Sequence, residues 1–199
     1  MSKENRIIGL TGPTGSGKST VAKVWQEMGA TVLSADAYAR AVVTTGSPVL
    51  RQIAEAFSAD ILTADGALDR AKLADIVFAD PAKKQLLESI THPAICQRMR
   101  QDAEAAFAAG AAVVVFDSPL LFEAGQDAVC DKTVAVVSQA ETRLARIMAR
   151  DGLTYEQAAA RMAAQPSEDF YRDRADTVIP NDGTADELAA LAREVLVWR

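Results

Sequence analysis

Residues 6–20 read RIIGLTGPTGSGKST. An apolar run enters a glycine-punctuated loop, which then opens into a helix-forming stretch. The loop matches G-x-x-x-x-G-K-[ST], with Gly12, Gly17, Lys18 and Ser19 at the fixed places. This spacing constrains the fold strongly, because the loop works only between the end of a strand and the start of a helix. There, backbone N–H groups from Gly15, Ser16, Gly17, Lys18 and Ser19 can converge on one anion, aided by the helix N-terminus. Lys18 then reaches outer phosphate oxygens and the Ser19 hydroxyl faces Mg²⁺, with Thr20 in the same set. Pro13 lacks an N–H but precedes the cradling amides. Such a loop holds a nucleoside triphosphate without naming the acceptor, so water, a protein, a nucleotide and a small alcohol remain open.

Alternating apolar β-branched runs and amphipathic stretches point to an α/β fold, a parallel five-stranded sheet flanked by helices. Strands are expected over Arg6–Thr11, Thr31–Ser34, Ala112–Asp117, Thr133–Ser138 and Thr177–Pro180. Helices are expected over Lys18–Met28, stopped by Gly29, and over Arg143–Arg150, Thr154–Ala164 and Ala185–Val197. TYEQ, from Thr154 to Gln157, has the pattern of a capping box. Between Ser34 and Ala111 no core strand is legible, and helical patterns break at GSP (46–48), ADG (64–66) and DP (80–81). So long an interval is not a loop. It reads as a helical insertion capping the sheet and forming an acceptor site. The expected division is one P-loop domain: core at about 1–34, 111–140 and 175–199, insertion at about 35–110, and lid at about 141–174.

With 49% hydrophobic residues over 199, the chain can bury a full core without disulfides or metal. Its two cysteines, Cys96 and Cys130, lack ligand spacing and suit a reducing compartment. MSKENR leads straight into the first strand, and the longest uncharged run, Ala105 to Phe116, is too short to span a bilayer. A cytoplasmic protein without a membrane partner is expected. A net charge of −6 argues against a broad nucleic-acid surface. Yet 14 of the 21 basic residues are arginine, the side chain suited to bidentate phosphate recognition. Together these favour a small polyanionic ligand.

The guanine-selecting N-K-x-D segment of GTPases is absent, since Asn5 and Asn181 are the only asparagines. The length and the arginine-rich stretch ETRLARIMARDGLTYEQAAARMAAQ suit a small-molecule kinase with a closing lid. Arg143, Arg146 and Arg150 have helical spacing, and Arg161 follows on the next helix. They read either as phosphate ligands or as a solvated, ion-paired face. Asp36, just past the second strand, reads as the base for an attacking hydroxyl or as a helix N-cap. Asp117 ends VVVFD and is either a Walker-B-like carboxylate near Mg²⁺ or a solvent-facing strand end. His92, the sole histidine, is not assigned catalysis.

Several segments together resemble the dephospho-CoA kinase family. They are GLTGPTGSGKSTVA (9–22), ADAYARAVV (35–43), DGALDR (65–70), HPAI (92–95), DSPLLFEAG (117–125), RMAAQ (161–165) and ADTVIPNDG (175–183). PLLFE and the HP pair discriminate better than the phosphate loop. The resemblance implies phosphorylation of the ribose 3′-hydroxyl of dephospho-CoA by ATP, with Mg²⁺ as cofactor. It also implies that Asp36 is the base, that Lys18, Arg143 and Arg150 serve the transfer, and that Arg161 binds phosphate. Arg40, Arg70 and His92 join Asp36 on the acceptor side, and Asn181 lies near adenine. Two departures stand out. Ser34-Ala35-Asp36 replaces the family's frequent Asp-Ala-Asp, and Pro13-Thr14 replaces its usual Gly-Ile. Ser58 also stands where glycine is common.

Overall fold

The computed structural model describes residues 5–197. Residues 1–4 of the expected lead-in and residues 198–199 of the expected core lie outside the described residues. Five strands form one sheet among those described: β1 (Arg6–Thr11), β2 (Thr31–Ser34), β3 (Val113–Asp117), β4 (Lys132–Val137) and β5 (Thr177–Pro180). Their order is β2-β3-β1-β4-β5. β1 pairs in parallel with β3 (Ile8 opposite Val115) and with β4 (Leu10 opposite Val134), and β4 pairs in parallel with β5. β1 is therefore central, and the chain leaves it toward both sides. This makes its carboxyl end a switch point, where open α/β sheets form their ligand crevice.

The helices are α1 (Lys18–Glu27), α2 (Ala35–Ala41), α3 (Pro48–Phe57), α4 (Arg70–Ala79), α5 (Pro81–Ala108), α6 (Ala140–Asp151), α7 (Tyr155–Ala163), α8 (Glu168–Arg174) and α9 (Ala185–Val197). Gly29 ends α1 as the sequence predicts. At φ 95° it donates to Gln26 O while Ala30 N reaches Trp25 O, a Schellman closure. β4 begins and ends one residue earlier than expected: Lys132 already pairs with Ile8, and Ser138 leaves the ladder and donates its hydroxyl to Asp182.

The chain divides into two compact units, residues 34–102 and the remainder. In the sheet unit, Ile8, Leu10, Val21, Trp25, Val115, Val134, Val136 and Ile179 build the core between sheet and helices. Trp25 is fully buried, and its indole N–H donates to Ala192 O at 2.7 Å, tying α1 to α9. Burying each such large side chain stabilises the fold by about 1.5–3 kcal/mol. The other unit has its own core of Val43, Ile53, Ile61 and Leu73, with Phe57, Leu68 and Ile76 packed around it.

Candidate active site

The phosphate loop is held in a shape that leaves its amides to face a ligand. Gly12, Gly15 and Gly17 have φ of 145°, 79° and 96°, conformations that side-chain-bearing residues rarely adopt. A Cβ on Gly12 would strike the carbonyl of Val136, and one on Gly17 the amide of Asn181. Ser16 N–H turns back onto Pro13 O at 3.1 Å, so Pro13 closes the loop through its carbonyl. Thr14 N–H donates to Gln165 Oε1 at 2.8 Å. The N–H groups of Gly15, Gly17, Lys18 and Ser19 have no partner among the described residues, so the cradle starts at Gly15 and skips Ser16.

α1 opens without a side-chain cap and without an acidic residue in its first turn. Its orphan N–H groups and positive dipole end therefore remain available to an anion. Ser16 Oγ is fully buried and has no hydrogen-bond partner among the described residues. A buried hydroxyl in that condition is costly, and here it sits inside an anion cradle. These features fit a bound polyphosphate. Lys18 Nζ pairs with the Asp117 carboxylate at the end of β3, with side chains 18% and 15% exposed. Asp117 is thus not a solvent-facing strand end. Ser19 and Thr20 are exposed in the first turn of α1.

Behind the loop, side chains from distant segments grip its carbonyls. Arg143 Nε donates to Thr14 O at 2.9 Å, Arg146 reaches Gly15 O at 3.4 Å, and Asn181 Nδ2 donates to Ser16 O at 2.7 Å. Arg143 is buried, at 5% exposure, which pulls its guanidinium below the ordinary arginine range; nearby Tyr171 and Glu168 oppose this. The sequence grouped Arg146 with arginines read as phosphate ligands or as a solvated face, whereas it grips a loop carbonyl; Gln165 was not singled out as a site residue. Gln165 lies in the RMAAQ segment, whose family pattern was the available signal.

Arg150 and Arg161 meet on one carboxylate. Arg150 Nε donates to Asp151 Oδ1 and Arg161 to Asp151 Oδ2, both at 2.7 Å, with both arginines more than half exposed. Beside Asn181 a cleft of about 490 Å³ opens, lined by Pro180, Asp182, Gly183, Thr184 and Leu191.

In the residue 34–102 unit, Ser34 is the N-cap of α2, its Oγ accepting from Ala37 N at 3.4 Å. This removes the capping alternative for Asp36, which stands exposed in the first turn with no side-chain partner among the described residues. Asp36 and Arg40 are four apart and share one helix face. Arg70 donates to Arg40 O at 3.5 Å, bringing together the two arginines expected on the acceptor side. The DGALDR segment around Arg70 has structural reasons of its own: Gly66 takes φ 75° and Asp69 caps α4 through Lys72 N at 3.0 Å. Tyr38, one turn along α2, donates to Asp102 Oδ2 at 2.6 Å, and its phenol is pushed up to about 12 by burial and by that hydrogen bond. His92 is half-buried on α5, beside Glu88 and Lys84, and burial lowers its pKa.

PLLFE, the more discriminating motif, is a turn packed over the sheet. Leu121 is fully buried against Gly9, where a Cβ would come within 2.7 Å of it, and Phe122 meets Phe170 edge to face. No group of three or more His, Cys, Asp or Glu side chains able to hold a metal occurs among the described residues. No helix there is long and apolar enough to cross a membrane.

The chain is similar to known proteins along nearly its whole length. The dephospho-CoA kinase of Corynebacterium diphtheriae is 48% identical over 190 residues, covering 96% of this chain and 95% of that one. Among solved structures, TT1252 from Thermus thermophilus superposes with a TM-score of 0.80 at 36% identity, covering 97% of each chain. A dephospho-CoA kinase from Campylobacter jejuni gives 0.69 at 28% identity, covering 96% of this chain and 94% of that one. The family model described as dephospho-CoA kinase matches residues 6–187, and the chain belongs to that family.

Proposed function

We propose that this chain transfers the terminal phosphoryl group of ATP to the ribose 3′-hydroxyl of dephospho-CoA, giving coenzyme A and ADP. The observation that carries the reading is the family match across residues 6–187, which takes in the phosphate loop, Asp36 and the arginine-rich stretch alike.

The N–H groups of Gly15, Gly17, Lys18 and Ser19 receive the triphosphate, and Lys18 exchanges Asp117 for phosphate oxygens. Adenine occupies the cleft beside Asn181. Asp117 and the Ser19 hydroxyl are hard oxygen donors suited to Mg²⁺, which is commonly held by one or two carboxylates together with substrate phosphates. When bound, that ion neutralises charge on the phosphates.

Asp36 orients the 3′-hydroxyl and accepts its proton. The hydroxyl oxygen bonds to phosphorus while the bond from phosphorus to the ADP oxygen breaks. The carboxylate of Asp36, exposed and without a side-chain partner among the described residues, supports this role. Arg40, Arg70 and His92 hold the acceptor. Arg150 and Arg161 exchange Asp151 for phosphate as the 141–174 segment closes, and exposed pairs of this kind are weak enough to exchange readily. Arg143 serves the same site from beneath the loop. The enzyme acts in the cytoplasm on small molecules, without nucleic acid, a reading its net charge of −6 supports.

The test is ADP release measured with dephospho-CoA, adenosine, AMP or no acceptor. Release with dephospho-CoA alone is expected. Equal release with AMP would point instead to a nucleotide kinase, and no acceptor-dependent release to a nucleotide-binding regulator.

A further inference from the structure

The grip on the back of the phosphate loop does more than anchor it. Three successive carbonyls, of Thr14, Gly15 and Ser16, are each held by a side chain far along the chain: Arg143, Arg146 and Asn181. A peptide whose carbonyl is drawn to one side presents its N–H, on the following residue, to the other. Holding carbonyls 14 and 16 outward therefore turns the N–H groups of Gly15 and Gly17 inward, and both are unpartnered among the described residues.

Arg146 is the keystone of this arrangement. Its guanidinium donates to Gly15 O at 3.4 Å, Ser138 Oγ at 3.3 Å, Asn181 O at 3.0 Å and Asn181 Oδ1 at 3.4 Å. One cation thus fixes the loop backbone and orients the Asn181 amide, whose nitrogen grips Ser16 O. Asp182 closes the ring by accepting from Ser138 Oγ and Gln139 N, both at 2.8 Å. The α6 start, the β4 end and the turn after β5 are thereby joined to a single loop.

We infer that Arg146 and Asn181 act as one positioning unit, which presets the phosphate loop for a polyphosphate before any ligand arrives. Their contribution passes through the loop backbone and not through contact with the base. The inference rests on the reading of the loop as the triphosphate site. It does not depend on which acceptor is phosphorylated.

The experiment titrates inorganic tripolyphosphate, which has no base, into wild type, Arg146→Ala, Asn181→Ala and the double variant by calorimetry. ATP KM and kcat are measured alongside. Each single change is expected to weaken tripolyphosphate binding about tenfold, and to raise ATP KM by more than it lowers kcat. The double variant should lose little beyond either single change, because both remove one shared element. Arg146→Lys keeps the charge but not the fork, and should fail to restore binding.

Additive losses, restored binding in Arg146→Lys, or an Asn181→Ala effect seen with ATP but absent with tripolyphosphate would each overturn the inference. So would a wild type that binds no tripolyphosphate. Urea midpoints confirm folding; if the double variant does not fold, Asn181→Ala combined with Arg146→Lys replaces it, with the same non-additivity expected. Tight tripolyphosphate binding without dephospho-CoA turnover would sink the proposed function and leave this inference standing.

Discussion

Lys18 Nζ rests on the carboxylate of Asp117, joining the start of α1 to the end of β3 across 99 residues of sequence. The pair sits at the carboxyl end of the two neighbouring strands, β1 and β3, where Leu10 lies opposite Asp117. Lys18 is therefore held at the start of α1, in the proposed triphosphate site. Lys18→Ala is expected to lower kcat/KM for ATP by about 10²–10³-fold, in the range seen when one preorganised charge-stabilising donor is lost. Calorimetry with ADP should show weakened binding in the same variant. Undiminished ADP affinity would separate Lys18 from phosphate recognition.

Asp36 gives a different signature. Ser34 caps α2, so replacing Asp36 removes no cap and no side-chain contact. Asp36→Asn should leave the urea midpoint and ADP affinity close to wild type. Turnover should fall about 10²–10⁴-fold, the usual share of a general base. Unchanged kcat would take Asp36 out of that role.

The strands were readable because β-branched runs such as VVVFD and TVAVV declare themselves locally, and the observed ends of β1, β2 and β5 match the sequence reading. The loop was readable for the same reason, since its chemistry lies within nine residues. The TYEQ capping box also forms, with Thr154 and Gln157 bonded reciprocally. What supports the loop was not readable. Arg146, Gln165 and Asn181 approach it across 131, 151 and 165 residues, and no local spacing encodes such contacts. Asn181 illustrates the difference. Its place after the last strand was legible, but the commitment of its amide to Ser16 O follows only from the sheet order that sets β5 beside β4, and β4 beside β1.

Ser58 carries a backbone cost. It adopts φ 146° and ψ 150° at the end of α3, a region poorly suited to a residue with a Cβ, while its Oγ accepts from Asp60 N at 3.1 Å. Strain of this kind costs of order 1–3 kcal/mol, whereas replacing a capping serine by glycine loses only a few tenths. Ser58→Gly should therefore stabilise the protein by about 1 kcal/mol, read as a raised urea midpoint at unchanged slope. A lowered midpoint would show that the Asp60 contact outweighs the strain.

His92 makes stability depend on pH near neutrality. Burial lowers its pKa, with Glu88 partly opposing the shift and Lys84 adding to it. The folded chain therefore resists a proton that the unfolded chain accepts below about pH 6.5. The stabilising contribution is present above that pH and is lost as pH falls through it. As His92 is the only histidine, the window is uncluttered. Urea midpoints between pH 7.5 and 5.5 should fall more steeply for wild type than for His92→Gln. Parallel slopes would contradict the shift.

The proposed chemistry turns on the identity of the bond that forms. Wild-type protein incubated with ATP, Mg²⁺ and dephospho-CoA, with the product examined by phosphorus NMR, tests it directly. One new phosphomonoester, located on the ribose 3′-oxygen, is expected to appear in step with ADP. A phosphate at another position, or ADP formed without a phosphorylated acceptor, would contradict it.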